Sequence, residues 1–415
     1  MSFLYPFLNL LQPGIFWPEI ANLRPMLVVS FLALIAAILR QANYPRQAAF
    51  AHPIFIWLVA FIFAQVLSVY YGGVGAMLEE FSFWSVYLIF AVVSILLISD
   101  QVALKRYVVG MIAGGMFLVA VGIYALLAQV GFGVTGRAGA YGMYENHNDY
   151  TFIILQILPF ILLYMRAETG PIRRGLLGIS LLTCVIGVFL SLSRGGILAL
   201  ILEFVLIVVI AMKGRRRLLL LPVLVMVGAI AVGYQWSKRE ENSTTYTAAD
   251  AESSRFELWR AARIMFQDRP LLGVGSRRFA EYSTKYEEIS HDELGKNSHN
   301  TYLEILAGTG LIGFIPFVLM SWGLIKEMRL RPASRAPPFL DATRKATLIA
   351  FYTILFRGLL DAKSYDWSFY MLCTIGLACA MFQREIDKAD RARPGEGAAI
   401  ERQQNQVTKG GSSHG

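Results

Sequence analysis

Residues 107–129, YVVGMIAGGMFLVAVGIYALLAQ, form a run of 23 positions without one Asp, Glu, Lys, Arg or His. A run of this length crosses the ~30 Å hydrocarbon core of a bilayer as an α-helix rising 1.5 Å per residue. It is continuous rather than alternating, which excludes the strand of a lipid-facing β-barrel. The pattern recurs along the chain. Of its 415 residues, 56% are hydrophobic and 16% charged, against about a quarter charged in soluble domains. The fold class is therefore an all-α polytopic membrane protein.

Twelve predicted membrane segments follow, at 3–17, 26–39, 53–70, 82–98, 107–129, 151–165, 175–191, 195–212, 218–234, 300–325, 346–360 and 367–382. The first contains Pro6 and Pro13 and is short enough to be re-entrant or interfacial. It lacks a basic leader, so no cleavable signal peptide is expected. With the N-terminus inside, the short inner loops hold Arg40, Arg46, Lys105, Arg106, Arg166, Arg173, Arg174, Lys213, Arg215 to Arg217, and the basic residues between Lys326 and Lys345. The short outer loops hold only Arg24, Arg137, Arg194 and Lys363. This is the bias of the positive-inside rule. It also explains the net charge of +9 without a nucleic-acid partner.

The expected organisation is nine transmembrane helices in 1–234, one large outer loop at 235–299, helices ten to twelve in 300–382, and a disordered cytoplasmic tail at 383–415. Both termini would be cytoplasmic. In a bacterium the outer face would be the periplasm and the membrane the inner one. Cys184, Cys373 and Cys379 lie inside apolar runs without CxxC spacing, which points to packing rather than to a disulfide framework or a zinc site. His52 is expected at the cytoplasmic surface.

The outer loop opens with a polar stretch, Glu240 to Ser254. Ser254-Arg255-Phe256-Glu257 then reads as a capping box, which predicts a helix over 255–267 ended by Asp268-Arg269-Pro270. Phe256, Trp259 and Phe266 recur at helical spacing, with Arg255, Arg260 and Arg263 interleaved. Such a helix either lies on a membrane surface or packs on the bundle with a solvated charged face. Leu271-Leu272-Gly273-Val274-Gly275 forms a tight apolar turn before Arg277 and Arg278. Guanidiniums beside Phe279, Tyr282 and Tyr286 suit a sugar–phosphate substrate, although the same mixture is common at membrane interfaces.

Further polar motifs fall on the same face. His299-Asn300 begins the tenth span and is followed by Gly310-Leu311-Ile312-Gly313. A helix start disfavours an imidazolium and favours a neutral imidazole as base. Ser193-Arg194-Gly195-Gly196 makes a tight hairpin whose glycines allow close backbone approach. Its arginine either binds an anion or snorkels to headgroups. Gly142 to Tyr150 (GMYENHNDY) offers Asn146, Asn148 and Asp149 to sugar hydroxyls. Arg357 and Asp361 are spaced i,i+4 and suggest an ion pair, and intramembrane charge points to function. Glu203 and Glu304 also lie within predicted spans. Nucleotide-binding, HExxH and paired-aspartate patterns do not occur in the outer loops, so no nucleotide, metal or other cofactor is expected.

At these residues the sequence resembles the O-antigen ligase and O-antigen polymerase superfamily, the WaaL and Wzy type. The His299-Asn300-x9-Gly310-x2-Gly313 pattern and the Ser193-Arg194-Gly195-Gly196 hairpin look like family motifs. Asn146-His147-Asn148 is similar to the family's Asn-Pro-Asn stretch, with His147 in place of proline. Arg255 with Trp259, then Pro270 to Gly275, resemble its large loop. The resemblance implies transfer of a glycan from undecaprenyl diphosphate to an acceptor hydroxyl at the periplasmic face, with inversion and without metal. His299 would be the general base. Arg194 and Arg255 would bind diphosphate, joined on weaker motif grounds by Arg277 and Arg278, and Asn148 and Asn300 would contact substrate; Arg357 is added to the set from its own intramembrane charge, outside the resemblance. Lipid A-core is the preferred acceptor; a growing repeat-unit chain is the alternative. A transporter of lipid-linked sugars is the rival class, but no internal repeat supports it.

Overall fold

The computed structural model describes residues 1–39, 46–168, 170–212, 248–291, 294–330, 336–362 and 366–392, with Gly214, Met226, Gly228 and Gly233. The predicted span 218–234 lies outside these residues except for the last three glycine and methionine positions just named. The loop stretch 240–247 and the tail beyond 392 also lie outside them.

The described residues fold into helices, without a strand among them. In chain order these are α1 (Leu4–Leu11), α2 (Pro13–Phe16), α3 (Pro25–Leu39), α4 (Arg46–Phe50), α5 (Pro53–Ser68), α6 (Gly73–Leu97), α7 (Gln101–Ala128) and α8 (His147–Ala167). They continue as α9 (Pro171–Leu190), α10 (Arg194–Ala211), α11 (Ala248–Asp268), α12 (Phe279–Tyr286), α13 (Thr301–Arg329), α14 (Pro338–Arg357) and α15 (Trp367–Ala392). Among the described residues, six helical stretches are long and apolar enough to cross a membrane: 53–97, 101–128, 147–167, 171–190, 194–211 and 301–329. The first of these is two helices, because the chain breaks at Val69–Gly72 between α5 and α6. This is a multi-pass membrane protein.

Local chemistry sets the helix limits. Pro25, Pro53, Pro171 and Pro338 occupy first helical positions, where a missing N–H costs nothing. Asp100 caps α7 by accepting from the Ala103 amide at 2.7 Å. Asn146, Ser193 and Asn300 cap α8, α10 and α13 in the same way. Ala-to-polar differences at such caps are worth about 1 kcal/mol each. The centre of the bundle is α8, buried along most of its length and packed between α7, α9, α10 and α14, while α13 lies along α5. On the outside, α3 shows Leu27, Phe31, Ile35 and Ile38 and α9 shows Leu176, Ile179 and Leu182. Such apolar surfaces suit lipid rather than water.

Several expectations need correction. The segment 3–17 is not one helix: Gln12 adopts a left-handed φ of 48° before Pro13, and the chain turns between α1 and α2. The last helix runs ten residues past the expected end of its span, to Ala392, so the start of the tail is ordered. His52 is buried rather than on the surface. It caps α5 through Nδ1, 3.3 Å from the Ile54 amide, and its Nε2 lies 3.5 Å from a Glu327 carboxylate oxygen. The loop helix begins at Ala248, not at the Ser254 capping pattern, since Ser-x-x-Glu is compatible with a helix interior as well as with its start. Its buried face is Leu258, Ala261, Ala262 and Met265, packed on Val274, Phe279 and Ala307. The Phe256 side of the aromatic stripe is exposed.

The segment after α11 is locked to α13 by backbone bonds. Val274 and Gly275 amides donate to the Ala307 and Gly308 carbonyls at 2.8 and 2.9 Å, and Leu311 and Ile312 amides donate back to Pro270 and Leu271 at 2.8 and 3.1 Å. This requires a break inside α13. Gly310 supplies it, with φ 58° and ψ −156°, a conformation that side chains disfavour. A Cβ there would sit 2.4 Å from Leu271. The two glycine-bearing motifs, 270–275 and 310–313, are thus halves of one joint.

Candidate active site

Three of the capped helix starts meet at one place. The Ser193 hydroxyl, which accepts from the Gly196 amide, donates to the Asn148 side-chain oxygen at 2.6 Å. The Asn148 carbonyl accepts from Nη2 of Arg357 at 3.2 Å. Thr301, the first residue of α13, donates its amide to Gly358 and Asp361 carbonyls at 2.7 and 3.1 Å. The starts of α8, α10 and α13 therefore surround the end of α14. Each start carries the partial positive charge of its helix dipole, so the place favours an anion.

Arg357 sits at the centre and is only 2% exposed. Its guanidinium reaches Asp361 at 3.7 Å, and its Nε has no hydrogen-bond partner. A buried guanidinium incompletely met by protein acceptors is costly unless another anion completes it. Gly195 makes room for it, because a Cβ at that position would lie 2.4 Å from Nη1. Arg194, one residue earlier, is half-buried at the same helix start. The hairpin before it is braced by Arg137, which donates to the Ser191 and Leu192 carbonyls at 3.0 and 3.3 Å. Arg255 of α11 lies within electrostatic reach of Arg357.

His299 stands directly before the Asn300 cap with a left-handed φ of 50°. Non-glycine residues held in that region are uncommon, and they gather at functional sites. Three contacts over-determine the turn. Glu304 accepts from the Ser298 amide at 2.8 Å, Trp259 of α11 donates to the Ser298 carbonyl at 3.0 Å, and Asn297 accepts from the His299 amide at 3.4 Å. Nδ1 of His299 faces Asp361 Oδ1 at 3.5 Å, the long end of hydrogen bonding. A carboxylate on Nδ1 favours the tautomer protonated there and leaves Nε2 as an acceptor. Asp361 thus links the histidine to Arg357. Sequence reading had seen it only as the arginine's ion partner; its spacing from Arg357 was visible, but its approach to His299 across 62 positions was not.

The structure gathers Arg194, Arg255, His299, Asn300, Asn148 and Arg357 around this point. It uses the side-chain oxygens of the two asparagines for structure: Asn300 Oδ1 accepts from Tyr302 and Leu303 amides at 3.0 and 3.1 Å. His147 is also engaged locally, with Nδ1 3.0 Å from the Ala138 carbonyl. Arg277 and Arg278 are placed elsewhere. Arg277 makes a two-pronged pair with Glu80 of α6 at 2.9 and 3.1 Å and lies 3.9 Å over the Phe83 ring. Arg278 reaches Glu281 at 3.5 Å. Along α11, a shallow groove of about 500 Å³ is bordered by Phe256, Trp259, Arg260 and Arg263. No group of three or more metal-ligating side chains occurs among the described residues.

Residues 179–318 match the family model Wzy_C, described as O-antigen ligase. Over these residues, about a third of its length, the chain is similar to an O-antigen ligase domain. That domain contains Arg194, Arg255, His299 and the Gly310 joint, whereas Asn148, Arg357 and Asp361 reach it from helices outside the matched stretch. An uncharacterized protein of Haemophilus influenzae is 30% identical over 73 residues, which is 16% of this chain and 18% of that relative. The shared stretch is thus less than a fifth of the relative's length. The apolar helices mark a multi-pass membrane protein, and its stretch 179–318 is similar to the O-antigen ligase family.

Proposed function

We propose that this protein transfers a glycan from undecaprenyl diphosphate to an acceptor hydroxyl, with His299 as general base. The observation that carries the reading is the junction of His299, Asp361 and the buried Arg357 where three helix starts converge. In this reaction the acceptor oxygen attacks the anomeric carbon and its proton passes to Nε2 of His299. The bond from that carbon to the diphosphate oxygen breaks, and attack from the opposite side inverts the centre. An alcohol is a weak nucleophile until a base takes its proton, a contribution of about 10²–10⁴-fold. Asp361 holds the imidazole and balances the positive charge it acquires.

The leaving diphosphate gains charge as the bond breaks. Arg194, Arg255 and Arg357, with the positive ends of the three helix dipoles, meet that charge without reorganising. Planar guanidiniums bind phosphate oxygens in pairs, as lysine cannot. The aromatic and basic groove on α11 adjoins the His299 turn through Trp259 and suits sugar rings, which stack on aromatic faces. Lipid A-core is the acceptor we favour, at the periplasmic face of an inner membrane with both chain ends in the cytoplasm.

The test is reconstitution with an undecaprenyl-diphosphate-linked glycan in EDTA, with and without lipid A-core. Glycan on lipid A-core supports the ligase reading. Chain-length ladders made without lipid A-core would make the protein a polymerase. Movement of the donor across the membrane with no new glycosidic bond would overturn the transferase reading.

A further inference from the structure

Trp259 of α11 faces two ways. Its indole N–H donates to the Ser298 carbonyl at 3.0 Å, and the same side chain borders the groove shared with Phe256, Arg260 and Arg263. We propose that Trp259 is the positioning residue for His299 and also the platform for the acceptor sugar, so that one side chain sets the base and seats the hydroxyl it deprotonates. The proposal rests on His299 being the base and adds what places it.

The Ser298 carbonyl belongs to the peptide plane that leads into His299, and φ of His299 is the next rotation along the chain. A bond to that carbonyl therefore fixes the plane from which the imidazole departs. The preceding plane is tied as well, because Glu304 of α13 accepts from the Ser298 amide at 2.8 Å. The two ties hold His299 at φ 50°, a value that side chains disfavour. Ser298 is fully buried, so its carbonyl finds no water in place of the indole, and an unmet buried acceptor drives rearrangement. Asp361 would stay where it is, since its own carbonyl accepts from the Thr301 amide and hydroxyl at 3.1 and 2.8 Å. The histidine would move, and Nδ1 would lose the carboxylate oxygen now 3.5 Å away.

The order of groups assigns the groove to the acceptor. Asp361 stands between His299 and Arg357, and the diphosphate belongs with the arginine. Inversion puts the attacking hydroxyl on the side away from the diphosphate, which is the side of the histidine turn and of Trp259. Phe256 is 51% exposed and meets Trp259 edge to face, at 5.4 Å and 81°, which leaves aromatic surface open to a sugar ring. The helix that carries both rings is itself seated, because Leu258, Ala261 and Met265 pack with Ala307 of α13.

The test separates the two roles. Trp259→Phe keeps an aromatic ring and loses the N–H, whereas Trp259→Leu loses both. In reconstituted membranes with the undecaprenyl-diphosphate-linked glycan saturating, Trp259→Phe is expected to lower kcat about tenfold, the worth of one buried hydrogen bond. Its KM for lipid A-core should stay at the wild-type value. Trp259→Leu should show the same loss in kcat and raise that KM about fivefold through the lost ring contact. A merely structural tryptophan would lower Tm and leave kcat per folded molecule unchanged. That result, or an unchanged KM in Trp259→Leu, would overturn the proposal. A second readout needs no transfer. Carbethoxylation of His299 by diethyl pyrocarbonate, followed by mass spectrometry, should run about two- to tenfold faster in Trp259→Phe, because the turn opens when the bond is gone. An unchanged rate would overturn the brace. Normal transfer by His299→Ala would instead sink the base reading, and the carbethoxylation rate would still decide whether Trp259 holds the turn.

Discussion

Arg277 and Arg357 are both drawn from the polar face, yet their surroundings differ in kind. Arg277 is saturated. Glu80 meets two of its nitrogens at 2.9 and 3.1 Å and Phe83 covers its plane at 3.9 Å. Arg357 is deeper, but its one carboxylate stands 3.7 Å away and is shared with His299, and its Nε is unpaired. The first arrangement stores charge to hold α6 against the loop. The second keeps charge available. What separates a structural from a functional arginine here is how completely the protein has already answered it.

The sharpest test removes the histidine. His299→Ala should lower glycan transfer by about 10²–10⁴-fold while the chain still inserts; normal glycan attachment by that variant would sink the base assignment. Arg357→Lys keeps one charge but loses the planar fork, and should cost about 10²–10³-fold in rate. Unchanged transfer with a lowered Tm would instead place Arg357 with Arg277. Gly195→Ala pushes a methyl against Nη1 of Arg357 and should cost about 10²-fold or less through misplacement, with little change in Tm. Arg194→Lys should lose about tenfold, one hydrogen bond to a charged group; full activity would leave Arg194 as a headgroup anchor. At the far end, Arg277→Met should leave transfer per folded molecule unchanged. It should lower stability by about 1–3 kcal/mol, because Glu80 stays buried without its partner. A loss of transfer in folded Arg277→Met protein would break the contrast.

Much of the bundle was legible because its signals are local. Apolar runs are bounded by Pro53, Pro171, Asn146, Ser193 and Asn300, and those residues act as starts and caps for reasons the sequence displays. The common face of the polar motifs was legible too, since loop charge orients alternate helices. The joint at Gly310 was not. GTGLIG reads as small residues in a helix, and the break depends on backbone bonds to residues 270–275 that no spacing reveals. The fate of Arg277 was equally hidden, as Glu80 is 197 positions away. The Ser254 pattern misled because capping chemistry tolerates a helix interior. Asp361 was legible for one of its two neighbours: the i,i+4 rule finds Arg357, 3.7 Å away, while the approach to His299 comes from the meeting of two chain segments.

The three converging helix starts have one further consequence. Their share of the positive field belongs to peptide groups, so no single side-chain substitution can delete it. Arginine variants should therefore retain a floor of activity above the histidine variant. The arginine content of this site could then drift over evolutionary time, provided that Asn146, Ser193 and Asn300 keep the helix ends in place. Robustness of that sort resides in the backbone and would be invisible to any survey that scores side chains alone.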